Sequence, residues 1–191
     1  MKKLLATASV IMLLVFSLQA QVTIKPGVGV NFTNVSGGSF DDLKGNPGFQ
    51  FGGSVAFGEK FYFEPGLFYQ TESIEVTSAN NPFPVTDGNF KGFRVPIAVG
   101  LEVLGDADSF AGLRIFGGAS GFFVTSVSNE FLSEDDYASP KWGVFAGAGV
   151  DIAIFYVDLS YQWSLTNITT DVANLELGKS NGLFLTAGLR F

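Results

Sequence analysis

Eight short stretches between Ile24 and Phe191 alternate apolar side chains with small or polar ones, and this alternation constrains the fold more than any other feature of the chain. In the first, Ile24, Val28, Val30 and Phe32 share one face while Lys25, Gly27, Gly29 and Asn31 share the other. In the last, Leu183, Leu185, Ala187, Leu189 and Phe191 stand opposite Gly182, Phe184, Thr186, Gly188 and Arg190. Side chains of a strand point alternately to its two faces, so the pattern is β and not helical. A slip of one residue would exchange the two sets.

The pattern predicts strands over roughly Val22 to Phe32, Phe49 to Phe57, Phe61 to Tyr69 or beyond, Gly92 to Val103, Leu113 to Val124, Trp142 to Ile154, Tyr156 to Leu165 and Gly182 to Phe191. Each is close to the roughly 9–11 residues with which a tilted strand crosses a bilayer. The connections fall into two alternating classes. Tight turns are expected at Gly58-Glu59-Lys60, from Gly105 to Ser109 and around Phe155. Long polar connections are expected over Thr33 to Gly48, Glu72 to Lys91, Ser128 to Lys141 and Thr166 to Asn181. In an antiparallel up-and-down arrangement all the short turns lie at one end, with both termini, and all the long loops at the other.

The N-terminus has the parts of a secretory signal peptide: Lys2 and Lys3, the apolar run Leu4 to Phe16, then Ser17-Leu18-Gln19-Ala20. Cleavage after Ala20 leaves residues 21–191 as one domain of a size suited to a single core. There is no cysteine, which excludes disulfides and a lipidated N-terminal Cys. Without Lys2 and Lys3, nine Lys/Arg remain against eighteen Asp/Glu, so phosphate backbones are repelled and nucleic acid is not an expected partner. The apolar run Gly143 to Val150 is cut by Asp151 and is too short for a second helical span. A β-barrel crosses with half its residues apolar, because lipid meets one face of each strand.

Alternation alone does not say which face is inside, since a soluble lipocalin-like barrel turns its apolar face inward. Three features assign the apolar face to lipid. Aromatic residues of that face gather at strand ends, with Phe32, Phe49, Tyr69, Phe93, Trp142 and Trp163 at the long-loop end and Phe57, Phe61 and Phe191 at the other, as in the aromatic girdles of membrane barrels. The opposite face is glycine-rich with occasional charges, which suits a narrow lumen and not a solvated exterior. The chain ends on an aromatic in phase with the lipid-facing set. The expected fold is therefore all-β, an eight-stranded antiparallel up-and-down transmembrane β-barrel.

Residues along the whole mature chain carry a family resemblance. They are the Ala20-Gln21 junction, Ile24-Lys25-Pro26-Gly27-Val28, Phe63-Glu64-Pro65-Gly66-Leu67-Phe68-Tyr69, Phe93-Arg94-Val95-Pro96 and Leu189-Arg190-Phe191. In this order they resemble the PorT-type small outer-membrane β-barrels of bacteria. The resemblance implies a bacterial outer-membrane location with periplasmic termini and extracellular long loops. It also implies recognition of the C-terminal strand by the barrel assembly machinery, although Leu189 stands where many such signals have a second aromatic.

Strand by strand, the register puts Lys25, Arg94, Arg114 and Arg190 in the lumen with Glu64, Glu102, Asp151 and Asp158. Charges confined in so narrow an interior are expected to pair into a plug of salt bridges, because an unpaired buried charge is costly. The absence of histidine removes Ser-His triads, His-dependent lipases and ordinary zinc sites. The expectation is a protein that is not an enzyme, with no cofactor and no metal. Gly52-Gly53, Gly117-Gly118 and Gly147-Ala148-Gly149 match no phosphate-binding motif and read as lumen packing or barrel bends. The sequons at Asn31, Asn34 and Asn167 read as turn chemistry. The acidic loop residues Asp41, Asp42, Asp87, Glu130, Glu134, Asp135, Asp136, Asp171 and Glu176 read as a solvated face without calcium-loop spacing. Ile74, Val76, Pro82, Phe83, Pro84 and Val85 are apolar for a loop, and the alternation of Ser73 to Thr77 reads as a hairpin continuing above the membrane.

The functional expectation is a monomeric envelope barrel with a side-chain-filled lumen, acting structurally or through surface interactions of its loops. Its partners are outer-membrane lipid, the assembly machinery and whatever the loops bind. A narrow solute pore and a soluble exported lipocalin-like carrier are the two alternatives.

Overall fold

A computed structural model describes residues 21–36, 43–76, 86–105, 109–128, 140–166 and 179–191. The expected signal peptide, residues 1–20, lies outside them, as do Pro82 to Val85, Asn167 and the acidic residues of the connections apart from Asp87.

Eight strands follow one another: β1 Val22–Ser36, β2 Leu43–Gly58, β3 Phe61–Val76, β4 Thr86–Leu104, β5 Ala111–Ser128, β6 Lys141–Ile152, β7 Phe155–Ser164 and β8 Lys179–Leu189. Each pairs antiparallel with its sequence neighbour, and β1 pairs with β8, closing the barrel. Closure leaves no sheet edge in the ring, which a membrane-spanning sheet requires.

The two faces follow the alternation. Lys25, Asn31, Thr33, Gln50, Arg94, Arg114, Asp151, Phe184 and Thr186 are buried, whereas Ile24, Val28, Ile97, Val99, Ile115, Val150, Leu159 and Leu185 are exposed on the outside. An apolar surface this continuous is foreign to a soluble monomer and is what hydrocarbon demands. From Phe93 to Val103 the outer face of β4 rises about 33 Å along the strand at ~3.3 Å per residue. At a tilt near 40° that is about 25 Å along the barrel axis, the height of an apolar membrane band.

Inside, large side chains and glycines are matched across neighbouring strands. Tyr62 pairs with Gly100, Phe68 with Gly52, Phe116 with Gly147, Phe145 with Gly118, and Tyr156 with Gly188. A Cβ on Gly100 would overlap the Tyr62 ring, and one on Gly147 the Phe116 ring. These glycines supply the room that lets a narrow barrel hold aromatic rings. Within the glycine doublets, Gly52 and Gly118 face inward while Gly53 and Gly117 face outward.

Two boundaries differ from expectation. The tight turn between β6 and β7 is Ala153-Ile154, and Phe155 is the first residue of β7, paired with Ile152. Ala153 takes the positive φ of 53° that the two-residue reversal needs, so the strand resumes at Phe155. The first five strands also run beyond the predicted ends. They hold 15, 16, 16, 19 and 18 residues, against 12, 10 and 11 for β6, β7 and β8. At the long-connection end β8 keeps pace with β1, Lys179 pairing with Ser36, so among the described residues the tall wall is β8 with β1 to β5 and the short wall is β6 and β7.

Within the tall wall the register is irregular between β1 and β2 near Thr33, between β2 and β3 near Pro47, and between β4 and β5 near Thr125. Threonine hydroxyls stand in for missing ladder bonds there. The Phe49 amide donates to Thr71 Oγ1 at 3.0 Å, and that hydroxyl donates to Phe49 O at 3.3 Å. Thr125 Oγ1 donates to Lys91 O at 3.2 Å. On the short wall, the Trp142 amide donates to Thr166 Oγ1 at 2.8 Å.

Candidate functional site

The lumen is the candidate site, and it is built in two tiers. In the tier nearer the short turns, one continuous chain of ion pairs runs through seven charged residues. Arg190 Nη2 lies 3.9 Å from Glu102 Oε1, and its Nη1 donates to Asp151 Oδ2 at 2.7 Å. Arg114 grips Asp151 with two parallel bonds, Nε to Oδ2 at 2.7 Å and Nη2 to Oδ1 at 2.9 Å, and reaches Asp158 Oδ1 at 2.8 Å. Lys25 Nζ bridges Asp158 Oδ2 at 3.2 Å and Glu64 Oε1 at 3.0 Å, and Ser54 Oγ donates to Glu64 at 2.6 Å. The members come from β1, from each of β3 to β7 and from Arg190 just past β8, and Ser54 joins β2 to them, so the network ties the whole ring together. Forked arginine–carboxylate bonds of this kind hold geometry as well as charge.

Arg94, the eighth expected lumen charge, stands apart. It is buried, yet among the described residues no carboxylate lies within ion-pair distance of it. Its Nε and Nη2 donate to Gln162 Oε1 at 3.2 and 3.0 Å, and Ser120 Oγ donates to the same oxygen at 2.7 Å. The guanidinium carbon lies 4.2 Å from the Phe184 ring centroid and 5.3 Å from that of Phe145, so π faces take the place of counter-ions. The expectation that every lumen cation meets an anion is corrected at this residue. Hydrogen bonds and rings can hold a guanidinium whose charge is spread over a plane.

Further toward the long connections, Lys141 Nζ pairs with Glu72 Oε2 at 3.4 Å, and Gln70 Nε2 donates to Glu72 Oε1 at 2.7 Å. Lys141 also lies 4.8 Å from the Phe90 ring centroid. Neither Glu72 nor Lys141 belongs to the expected lumen set, because both fell in predicted connections. Glu72 is in phase with Glu64 and Phe68 along β3, which is the signal that places it inside.

Between the tiers is a cavity of about 60 Å³, lined by Glu64, Asp158 and Ser54 on one side and Arg94 and Phe145 on the other, with Gln50 in its wall. A smaller space of about 20 Å³ lies nearer the short turns beside Glu102, Arg114 and Arg190. The carboxylates of the lower tier are each engaged by a cation, an arrangement that leaves them poor general bases. Among the described residues no group of three or more His, Cys, Asp or Glu is placed to hold a metal ion.

The expected girdle residues all lie on the outer face. Phe32, Phe49, Phe93, Trp142 and Trp163 are exposed at the long-connection end, with Tyr69 partly exposed beside them, and Phe57, Phe61 and Phe191 are exposed at the other. Rings touch from strand to strand: Phe51 with Tyr69 at 5.2 Å, Tyr69 with Phe93 at 5.6 Å and Phe123 with Trp142 at 6.4 Å. Phe51, Phe63, Phe110, Phe123 and Phe155 extend the set.

A closed eight-stranded ring with an apolar exterior, ringed by aromatics and filled with paired charges, defines a small integral membrane β-barrel. The chain belongs to the outer membrane protein beta-barrel domain family, whose match spans residues 17–170. Its place is accordingly the bacterial outer membrane, and the lipocalin-like alternative falls away. Solved structures share the fold at low identity. Ail, the attachment invasion locus protein of Yersinia pestis, is 18% identical with a TM-score of 0.51, covering 90% of this chain and 99% of its own. OprG from Pseudomonas aeruginosa is 11% identical with a TM-score of 0.54, covering 90% and 96%. Neisserial surface protein A is 15% identical with a TM-score of 0.50, covering 90% and 99%. No curated protein sequence matches the chain.

Proposed function

We propose that this protein is a non-enzymatic, monomeric barrel of the outer membrane that does not conduct and that serves the envelope structurally or by surface contacts of its long loops. The observation that carries this reading is the seven-residue ionic chain, which crosses the lumen and, with Ser54, reaches every wall of it. A pore would need a continuous water path, and here the polar groups are spent on one another. The termini and short turns face the periplasm and the long connections face outward, in keeping with the turn asymmetry of such barrels. Outer-membrane lipid covers the apolar face, and the assembly machinery reads the β8 strand with its outward Leu189 and Phe191. Within the family, the motifs around Pro26, Pro65 and Pro96 support the narrower PorT-type placement.

Planar-bilayer recording of the purified barrel tests the closed lumen. The expected result is no steady conductance, and a steady single-channel current overturns it in favour of the narrow pore. Protease shaving of whole cells tests orientation: cleavage within residues 129–139 is expected, and protection of all long connections with cleavage at Glu59-Lys60 reverses the assignment.

A further inference from the structure

We propose that the central cavity is a binding site for a small zwitterion, an ammonium and a carboxylate on one short carbon frame. The inference goes beyond the closed-lumen reading and needs no through-path.

Charge separation across the cavity carries it. The tier on one side holds Lys25, Arg114 and Arg190 against Glu64, Glu102, Asp151 and Asp158, three cations to four anions. The two carboxylates that line the cavity, Glu64 and Asp158, are the more open ones of that chain, with side chains 13% and 16% exposed against 2% for Asp151. On the other side stands Arg94, without a carboxylate. The space is thus negative at one wall and positive at the opposite one, and a solute carrying both charges meets each with its complement.

Hydrogen bonding points the same way. Arg94 uses Nε and Nη2 on Gln162, and among the described residues its Nη1 has no acceptor. Gln50 donates its Nε2 to Thr186 Oγ1 at 2.6 Å, while its Oε1 is buried with no donor. A free donor pair at the cationic side is the fitting for a carboxylate, and the partly open Glu64 and Asp158 are the fitting for an ammonium. At roughly 10–15 Å³ per water the cavity of about 60 Å³ has room for about four to six waters, hence for a solute of about that many heavy atoms. The rings of Phe68, Phe116 and Phe145 exclude anything larger.

The test uses the mature barrel refolded in lipid nanodiscs and titrated with glycine, with acetate and methylammonium as half-ligands, read by NMR of the Arg94 Nε–H and Gln50 amide signals. Saturable shifts with glycine are expected, and each half-ligand should bind at least tenfold more weakly. Arg94→Met should weaken glycine at least tenfold. Ser160→Val, which adds bulk at the cavity wall while leaving every charge in place, should do the same and serves if the arginine variant does not fold. Absence of saturable shifts overturns the site. So does acetate binding as tightly as glycine, or unchanged affinity in both variants. Steady conductance without glycine binding would overturn both this site and the closed lumen. Glycine binding without conductance supports both.

Discussion

The two tiers of the lumen close the same tube by different physics. Near the short turns, seven charges pair in a chain, and each of the five between its ends satisfies two neighbours at once. On the far side of the cavity, Arg94 rests on two rings and one amide oxygen, and Lys141 meets Glu72 as a separate pair at 3.4 Å. The first arrangement is rigid and intolerant, since removing one member strands the others in a medium that cannot solvate them. At Arg94 the second loses little but its own contacts when the charge is removed. A lumen can therefore be electroneutral as a whole, as this one is over its ten described lumen charges, without being uniformly paired.

That contrast can be broken by substitution. Unfolding in urea from phospholipid vesicles, followed by fluorescence of the two tryptophans, Trp142 and Trp163, both on the lipid face, reads the stability of each variant. Arg114→Met should cost about 3–5 kcal/mol, because it leaves Asp151 and Asp158 short of their shared cation. Gly100→Ala, which drives a methyl into the Tyr62 ring, should cost roughly 1–3 kcal/mol, and Tyr62→Leu in the same chain should recover part of it. Arg94→Met should cost about 1–2 kcal/mol, the worth of its amide bonds and ring contacts, since no anion is orphaned. If Arg94→Met proves as damaging as Arg114→Met, the two-tier description fails. Even so, Arg94→Met should exceed Glu134→Gln in an acidic connection, expected within about 0.5 kcal/mol of the parent. Ala153→Gly should move the other way, gaining up to about 1 kcal/mol by relieving a left-handed alanine.

Most of the barrel was legible because its alternation is enforced twice, by lipid outside and by crowding inside. Boundaries were less so. Beyond the aromatic ring no hydrocarbon selects apolar side chains, so a strand there reads as polar connection, and Glu72 and Lys141 were assigned to loops for that reason. Phe155 reads as a turn residue because Ala153, which carries no turn signal in the sequence, supplies the positive φ. In the site, the inward residues could be named from register, but their partners could not. Arg94 meets Gln162 across 68 positions of sequence, and counting four cations against four anions implied a pairing that geometry does not make. The match of inward rings to glycines on the adjacent strand was visible in composition only as an abundance of both.

The uneven walls have a consequence for anything that approaches from the long-connection side. β3 continues about seven residues past Tyr69, which at ~3.3 Å per residue and a tilt near 40° lifts Val76 roughly 18 Å above the aromatic ring. β7 ends one residue after Trp163, level with that ring. Among the described residues the strand ends at the mouth therefore form a ramp, and a flat surface lying parallel to the bilayer would meet the backbone of β3 well before that of β7.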